Sequence, residues 1–369
     1  MQQGKDRSGT LRHFLKVAFQ YWHGDQRTKA YILGFGFIAS LVLNLVMALL
    51  INDWSKGFFD ALQQHQFSAI IQSVEKLAIL ATGTGLAAII TVQFRMRLQV
   101  SWRIWMMSKL VDHWEQSALS REVLMTYLID NPEARIAEDG RIAVELLVEM
   151  SGGIIYTILI SSSFIIVLWT IGGYAMILGY PVYGYLVYSV LIYTSLTSLG
   201  MFFLCVPLVK NVEEKAAAEG DFRYFLTENI HNSSATPAED DRRNNGPDAF
   251  FDQLLKRWIK VIRGQTKIIS FATTNNLIAP IVPVVLCAPK YLSGDMSLGD
   301  VMQTAAAFLQ VQTSLNWLAD NAFSLANWSA SARRVAALDA TIRDYNHFTK
   351  VEDFKRRSDP EKISREACQ

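Results

Sequence analysis

Long apolar windows without charged side chains recur along this chain. A transmembrane helix needs about 20 mostly apolar residues, and uncharged windows near or above that length cover residues 31–51, 77–94, 150–209, 268–289 and 301–319. The third window is long enough for two helices, and Gly172, Gly173, Gly179 and Pro181 near its middle predict a turn. The pattern therefore predicts six transmembrane helices, at about 31–51, 77–94, 150–172, 183–209, 268–289 and 301–319.

The composition agrees with a membrane protein, since 51% of the residues are hydrophobic and only 19% are charged. The 35 Lys and Arg residues nearly balance the 34 Asp and Glu residues, so no basic excess suggests binding to nucleic acid. With six spans, every Lys and Arg except Lys56, Lys76 and Lys290 falls on one side of the membrane. Because basic loops stay in the cytoplasm, we expect both termini to be cytoplasmic.

The two ends of the chain are predicted to lie outside a six-helix domain at 31–337. In the N-terminal part, residues 1–30, apolar side chains follow helical spacing at Leu11, Phe14, Leu15, Ala18, Phe19 and Trp22. This spacing predicts an amphipathic helix in the membrane interface, an elbow before the first span, with a partner-binding helix as the alternative. No pattern of a cleaved signal peptide precedes it. The charged C-terminal part, residues 338–369, is predicted to be a cytoplasmic tail, solvated from Asp339 onward.

The two long inner loops are rich in helix-forming residues. Residues 210–225 and 250–267 predict two helical arms, with a polar loop at 227–248 between them. Long helical inner loops with short outer loops are typical of the six-helix membrane half of an ABC exporter. Such a half cannot enclose a path alone, so we expect a homodimer with a central cavity.

Four blocks of residues resemble the SbmA/BacA-like peptide transporters and the ABC permeases related to them. The first block is NDWSKGFFDALQ, in which Asn52, Trp54, Phe58, Phe59, Asp60, Leu62 and Gln63 match. The others are Trp102, Arg103, Met106 and Trp114, then NPEARIAED at 131–139, then Leu298, Gly299, Gln303, Phe308, Gln310 and Val311. The resemblance implies an all-α, ABC-exporter-like membrane domain. It also implies a homodimer in the bacterial inner membrane that imports peptides or peptide-like compounds by alternating access.

The source of energy stays open between two branches of this resemblance. SbmA/BacA-like proteins have no ATPase and use the proton gradient, and the polar loop at 227–248 resembles theirs. The chain has no GxxxxGK[ST] motif and ends soon after Arg334, so we expect it to hydrolyse no ATP by itself and to need no cofactor. The NPEARI block favours the other branch, a permease of an ABC transporter whose ATPase is separate or removed. A membrane scaffold without transport is a third hypothesis.

Carboxylates at the cytoplasmic ends of the middle spans are the candidates for proton coupling. Glu145 and Glu149 stand one helical turn apart before the third span. The resemblance places Glu149 and Glu219 at or near cavity glutamates of the SbmA/BacA-like proteins. Burial in a cavity of low dielectric constant moves a glutamate toward titration near neutral pH. The alternative is ordinary ion pairing, with Arg141 four residues before Glu145 and Lys215 four before Glu219.

Polar side chains inside the apolar windows are candidates for a wet cavity wall that binds substrate. In the last span Gln303, Gln310 and Trp317 recur every seven residues, and Asn275 and Asn276 interrupt the fifth span. Polar groups in a membrane cost free energy unless they find a partner or water. Hydrogen bonding between helices is therefore the alternative explanation.

Basic side chains follow the second span, at Arg95, Arg97 and Arg103. Charge topology and snorkelling explain them, and Arg97 and Arg103 are also candidates for contacts with substrate. The six His and three Cys residues show no ligand spacing. We therefore expect neither a metal nor a nucleic-acid partner.

Overall fold

The computed structural model describes residues 2–24, 26–115, 132–177, 180–231 and 247–357, which are helical apart from one hairpin and short turns. In chain order the elements are α1 (Gln2–Ala18), α2 (Arg27–Gln63), α3 (Phe67–Glu115), α4 (Gly140–Gly172), β1 (Tyr174–Ile177), β2 (Tyr180–Tyr183), α5 (Tyr185–His231), α6 (Pro247–Ile278), α7 (Ile281–Leu292), α8 (Leu298–Asp320) and α9 (Ala322–Arg357). A 3-10 turn at Phe19–Trp22 follows α1, and a π-helical turn at Arg135–Asp139 leads into α4. The prediction of an all-α membrane domain is confirmed.

Among the described residues, five helical stretches are long and apolar enough to cross a membrane. They are Arg27–Gln63, Phe67–Glu115, Arg135–Gly172, Tyr185–Tyr224 and Leu254–Leu292. These stretches contain the first five predicted spans, except that the fourth begins at Tyr185 and not at residue 183, and the chain is a multi-pass membrane protein. The sixth predicted span lies within α8, which forms as a helix, and its crossing of the membrane stays a prediction.

A β-hairpin interrupts the longest uncharged window at the predicted turn. After α4 ends, β1 pairs antiparallel with β2, and Tyr174 lies opposite Tyr183. Gly184 has a φ of +66°, and a Cβ at this position would overlap the ring of Trp169. Only glycine adopts this backbone conformation without strain, so the sequence provides a close chain reversal between two apolar helices.

The two predicted helical arms form as extensions of α5 and α6. Helix α5 continues to His231 and α6 begins at Pro247. Both ends of the loop predicted at 227–248 are therefore helical. Its middle, 232–246, lies outside the described residues. Lys215 on α5 lies 3.6 Å from the centre of the Trp258 ring on α6, a cation–π contact between the arms.

The described residues divide into two compact units. The first unit is formed by residues of Met1–Trp54, Phe67–Ser162 and Trp317–Gln369, and the second by residues of Ser55–Gln66 and Ser163–Asn316. Helices α1, α3 and α9 contribute to the apolar core of the first unit. Helices α5, α6 and α8 supply most of the second.

The N-terminal helix packs into the core of the first unit. Phe14, Ala18 and Tyr21 are at most 1% exposed and share one apolar cluster with Met106 of α3 and Val335 of α9. Full burial of a large apolar side chain stabilises by about 1.5–3 kcal/mol. Much of this apolar face is therefore covered by the protein, and the position of the helix relative to the membrane interface stays a prediction.

The C-terminal part also begins as buried helix, so the prediction of a solvated tail from Asp339 is wrong there. Helix α9 continues to Arg357, and Leu338, Asp339 and Ile342 are at most 1% exposed. A carboxylate at a core position breaks the apolar periodicity that marks a buried helix face. The segment therefore looks aperiodic in sequence although it packs.

Asp339 joins three elements of the first unit. Its Oδ2 lies 3.0 Å from Nε2 of His13 on α1, and its Oδ1 lies 3.1 Å from Nδ1 of His113 on α3. Arg343, one turn further along α9, places its Nε 2.9 Å from Oδ2. Three partners can satisfy a carboxylate whose side chain is only 2% exposed.

In the second unit, two blocks of the sequence resemblance are in contact. Asp60 Oδ1 accepts a hydrogen bond of 2.9 Å from the backbone N–H of Gly299, and Gln63 Oε1 accepts one of 2.8 Å from that of Leu298. The end of α2 thus satisfies two of the free N–H groups at the start of α8. A Cβ on Gly299 would overlap the carbonyl oxygen of Lys56, so this approach requires glycine.

Charged groups strengthen the same contact. Lys56 Nζ lies 2.8 Å from Asp300 Oδ1. The Asp300 carboxylate accepts a hydrogen bond of 3.1 Å from the backbone N–H of Ser297, and the Ser297 hydroxyl accepts one of 3.0 Å from the backbone N–H of Asp300. Together these two bonds form a capping box. Burial raises the pKa of Asp300, but the hydrogen bonds from Lys56 and Ser297 outweigh it and hold the pKa below its usual value. The carboxylate therefore stays ionised and stabilises the start of α8.

Candidate functional site

A cavity of about 210 Å³ in the first unit contains the most prominent sequence candidate, Glu149. Residues of α2, α3 and α4 and of the junction between α8 and α9 line it. They are Phe37, Leu41, Thr91, Arg95, Glu149, Met150, Gly152, Gly153, Tyr156, Trp317 and Asn321. The structure thus brings together Glu149 and Trp317, which the sequence proposed separately as a proton carrier and a cavity residue.

Two glycines shape this cavity. A Cβ on Gly152 would overlap the ring of Phe37, and one on Gly153 would overlap the indole of Trp317. Because both positions lack side chains, these aromatic rings lie directly against α4, beside Glu149. Asn321 Nδ2 donates a hydrogen bond of 2.9 Å to the backbone oxygen of Trp317, which fixes the end of α8 at the cavity.

Glu149 and Arg95 carry opposite charges in this cavity. Glu149 is exposed to it, whereas Arg95 is half-buried. In the described part of the chain, neither side chain forms an ion pair, and the buried Nε of Arg95 has no hydrogen-bond acceptor. This Nε is buried in the protein, and snorkelling of Arg95 to the membrane surface stays a prediction.

Glu145 has a different environment, one turn before Glu149. Its carboxylate lies 2.9 Å from Arg141 and 3.4 Å from Arg103, in both cases between a guanidinium nitrogen and a carboxylate oxygen. The predicted pair with Arg141 forms, and the candidate Arg103 belongs to the same pair rather than to the cavity of Glu149. Glu145 and Arg103 therefore neutralise each other beside the cavity.

Glu219 lies in the second unit and is ion paired. Lys215 Nζ lies 3.4 Å from its Oε1, which is the alternative that the sequence left open. The neighbouring Glu214 pairs with Arg257 of the opposite arm. As a proton carrier, Glu219 would have to exchange with Lys215, whereas Glu149 has no such competitor in the described residues.

Polar residues of the second unit serve largely as contacts between helices. Asn275 Oδ1 accepts a hydrogen bond of 2.7 Å from the Tyr193 hydroxyl, which joins α6 to α5. Gln303 is buried, with 8% exposure, Gln310 is half-buried and Asn276 is exposed. Of this stripe, Trp317 lines the cavity of Glu149 in the first unit, and a shared cavity wall of Gln303, Gln310 and Trp317 stays a prediction.

Arg97 lines a separate open groove in the first unit, of about 460 Å³. Lys29 of α2 is the other basic residue there, and Leu33, Met96 and Ile104 provide apolar walls. Arg97 is two residues from Arg95 on α3, so the two side chains point in different directions around the helix. Arg95 and Arg97, which have the same explanation from sequence, therefore line different sites, the cavity of Glu149 and this groove.

Thr91, Arg95 and Asn321 line the cavity although sequence reasoning did not propose them. Thr91 and Arg95 are four residues apart and share one helix face with this spacing. That spacing was a usable signal, but the positive-inside rule already accounted for an arginine at this place. Asn321 follows Asp320, just after the last uncharged window, and no local pattern distinguishes it from a loop residue.

Comparison with known proteins gives the family. The family model for ABC transporter transmembrane region 2 matches residues 24–292. An uncharacterized ABC transporter ATP-binding protein of Haemophilus influenzae is 23% identical over 305 residues, which cover 80% of this chain and 51% of that protein. The inner membrane ABC transporter ATP-binding protein YddA of Escherichia coli is 26% identical over 298 residues, covering 76% and 52%.

A plant relative extends the match toward the end of the chain. ABC transporter D family member 2, chloroplastic, of Arabidopsis thaliana is 22% identical over 352 residues, covering 93% of this chain and 47% of that protein. The chain thus spans about half the length of the curated relatives it matches. The family match runs from before α2 to the end of α7. The chain therefore belongs to the ABC transporter transmembrane region 2 family.

Proposed function

We propose that two copies of this chain form the path of a transporter that imports peptides or peptide-like compounds across the bacterial inner membrane by alternating access. Family membership supports transport, and one relative is named an inner membrane protein. The SbmA/BacA-like resemblance of the four sequence blocks supports peptides as the substrate class. We propose a homodimer because a six-helix half of this architecture is expected to need a second copy to enclose a path.

We further propose that protons drive this transport through Glu149. The observation that carries this proposal is a carboxylate exposed in a cavity and without an ion-pair partner among the described residues. A proton carrier must be reachable by water and free to exchange its proton in each cycle. Glu145 is less suited than Glu149 to proton exchange, because its carboxylate is ion paired with Arg103 and Arg141. Glu219, paired with Lys215, is the second candidate carrier.

Coupling to ATP is the competing function, and a specific observation favours it. The relatives are named ATP-binding proteins, and the chain spans about half of their length. In this case an ATPase on a separate chain, or on another part of a longer protein, would drive the same membrane path. The cavity of Glu149 would then serve substrate binding alone.

Uptake into proteoliposomes distinguishes the two sources of energy. The reconstituted chain is given a labelled peptide and an imposed proton gradient, without ATP. Proton coupling predicts gradient-dependent uptake, and Glu149→Gln should lower it at least about tenfold, or about 1.4 kcal/mol on the limiting step. Glu219→Gln should have the same effect if Glu219 also carries protons.

Glu145→Gln is the matched control, because it removes a carboxylate from the same helix but from an ion pair. We expect a smaller effect from this change than from Glu149→Gln. Wild-type uptake that ignores the gradient and appears only with an added ATPase and ATP would establish the competing function. Normal gradient-driven uptake by Glu149→Gln would leave proton transport to another residue.

A further inference from the structure

The cavity of Glu149 contains a buried arginine donor that the fold does not satisfy. Arg95 Nε is buried and has no hydrogen-bond acceptor among the described residues. A buried donor without a partner costs about 1–3 kcal/mol, and a charged one costs more. Such a cost inside a cavity is typical of a position that binds a ligand, because the ligand supplies the missing acceptor.

We propose that Arg95 binds the carboxylate of the transported compound in this cavity, and that Glu149 takes up a proton when that carboxylate enters. The inference rests on the proposed transport function and names the chemical class of its substrate. A guanidinium group binds a carboxylate through two parallel N–H···O hydrogen bonds. Since Glu149 is not paired with Arg95, the arginine is available to an external anion.

The cavity walls indicate the rest of the ligand. Phe37, Leu41, Tyr156 and Trp317 offer apolar and aromatic surface, whereas Thr91 and Asn321 are the neutral polar lining residues. A volume of about 210 Å³ lies below the roughly 300–1,000 Å³ of sites that enclose whole small molecules. The cavity therefore suits one apolar residue with a free carboxylate, such as the C-terminal residue of a peptide.

Charge balance assigns the proton to Glu149. Among the residues that the structure describes, three titratable side chains line the cavity, namely Arg95 from α3 and Glu149 and Tyr156 from α4, while the described parts of α2 and of the α8–α9 junction contribute none. A second carboxylate entering beside Glu149 disfavours two negative charges in one site. Glu149 therefore accepts a proton from water as the anion binds, and it returns that proton to water when the anion leaves.

Calorimetry of the whole chain in nanodiscs tests this without any gradient. The probes are N-acetyl-phenylalanine and its amide, which differ in charge but hardly in size. Each is titrated in two buffers of different ionisation enthalpy, so that the difference in heat reports proton uptake. We expect the acid to bind at least about tenfold more tightly than the amide, or about 1.4 kcal/mol, with uptake of about one proton.

Variants separate the two roles. Arg95→Gln should remove the preference for the acid, and Arg95→Lys should restore part of it, since a single charge remains without the bidentate geometry. Glu149→Gln should still bind the acid but without proton uptake. Arg97→Gln is the matched control, because Arg97 lies on the same helix but lines another groove, and it should keep the wild-type preference.

Equal affinities for acid and amide in the wild-type chain would overturn the proposal, even if Arg95→Gln failed to fold. Unchanged acid binding by Arg95→Gln, or undiminished proton uptake by Glu149→Gln, would also overturn it. The outcome is independent of the uptake assay. Acid-selective binding without gradient-driven uptake would retain the carboxylate site and reject proton-driven transport, whereas gradient-driven uptake with equal affinities would do the reverse.

Discussion

Replacing Asp339 with Asn should destabilise the first unit by removing one buried negative charge. Breaking a fully buried ion pair costs about 3–5 kcal/mol. The partner side chains His13, His113 and Arg343 are 31%, 29% and 43% exposed, so water can solvate them once the charge is gone. Asn also keeps one hydrogen-bond acceptor. We therefore expect a loss of about 2–3 kcal/mol.

Thermal unfolding of the purified chain in one detergent, followed by tryptophan fluorescence, measures this loss. The apparent Tm should fall by roughly 5 °C. Asp112→Asn is the matched control, since Asp112 is an exposed carboxylate on α3 and its loss should leave Tm nearly unchanged. In a double-mutant cycle, His13→Ala combined with Asp339→Asn should cost less than the sum of the single changes. Equal Tm values for Asp339→Asn and wild type would mean that this carboxylate is solvated, as the sequence suggested.

Three other expectations concern the contact between α2 and α8 and the oligomer. Gly299→Ala should cost about 1–3 kcal/mol by steric overlap with the Lys56 carbonyl, whereas Gly57→Ala, in open space, should be neutral in the same unfolding assay. Because the pKa of Asp300 is lowered in the folded chain, its stabilisation is present above its unfolded pKa of about 4 and is lost as pH falls through the folded pKa. Asp300→Asn should therefore reduce the acid-induced loss of stability. Mass measurement in nanodiscs should give a dimer, and monomers alone would contradict a shared path.

Hydrophobic length was sufficient to predict the five helices that can span a membrane, and helix-forming residues were sufficient to predict the two arms. The uncharged window at 150–209 was divided correctly, because Gly172 ends α4, Gly173 precedes the hairpin and Gly184 follows it. Helix ends and tight turns depend on the residues at those positions, so they can be predicted from a single sequence. The contact between Asp60 and Gly299 was not predictable. Both residues belong to blocks that carry the family resemblance, but a single sequence does not show which blocks are in contact in the folded chain.

The packing of the two chain ends on each other was not predictable. Helix α1, which carries His13, contacts helix α9, which carries Asp339, although the two lie almost the whole length of the chain apart. An amphipathic helix has the same pattern whether a membrane or a protein covers its apolar face. A charged residue in a core is recognisable only from its partners, and His13 and His113 are remote in sequence.

Of the two charged residues in the candidate site, Glu149 was predicted from the sequence and Arg95 was not. Glu149 was conspicuous because it stands alone at the edge of a long uncharged window, where a charge is costly. Arg95 stands at a comparable edge, but arginines are expected there for topology. Only the structure shows that Arg95 Nε is buried in the cavity, whereas Arg97 lines a different groove.

Helix α9 begins next to the cavity and extends far from it. Its 36 residues form a rod of about 54 Å at 1.5 Å per residue. Pivoted at Asn321, such a rod is a lever, and a tilt of about 10° displaces its far end by roughly 9 Å. A change of angle at the start of α9 would therefore be larger, as a displacement, at the end of the helix than beside the cavity.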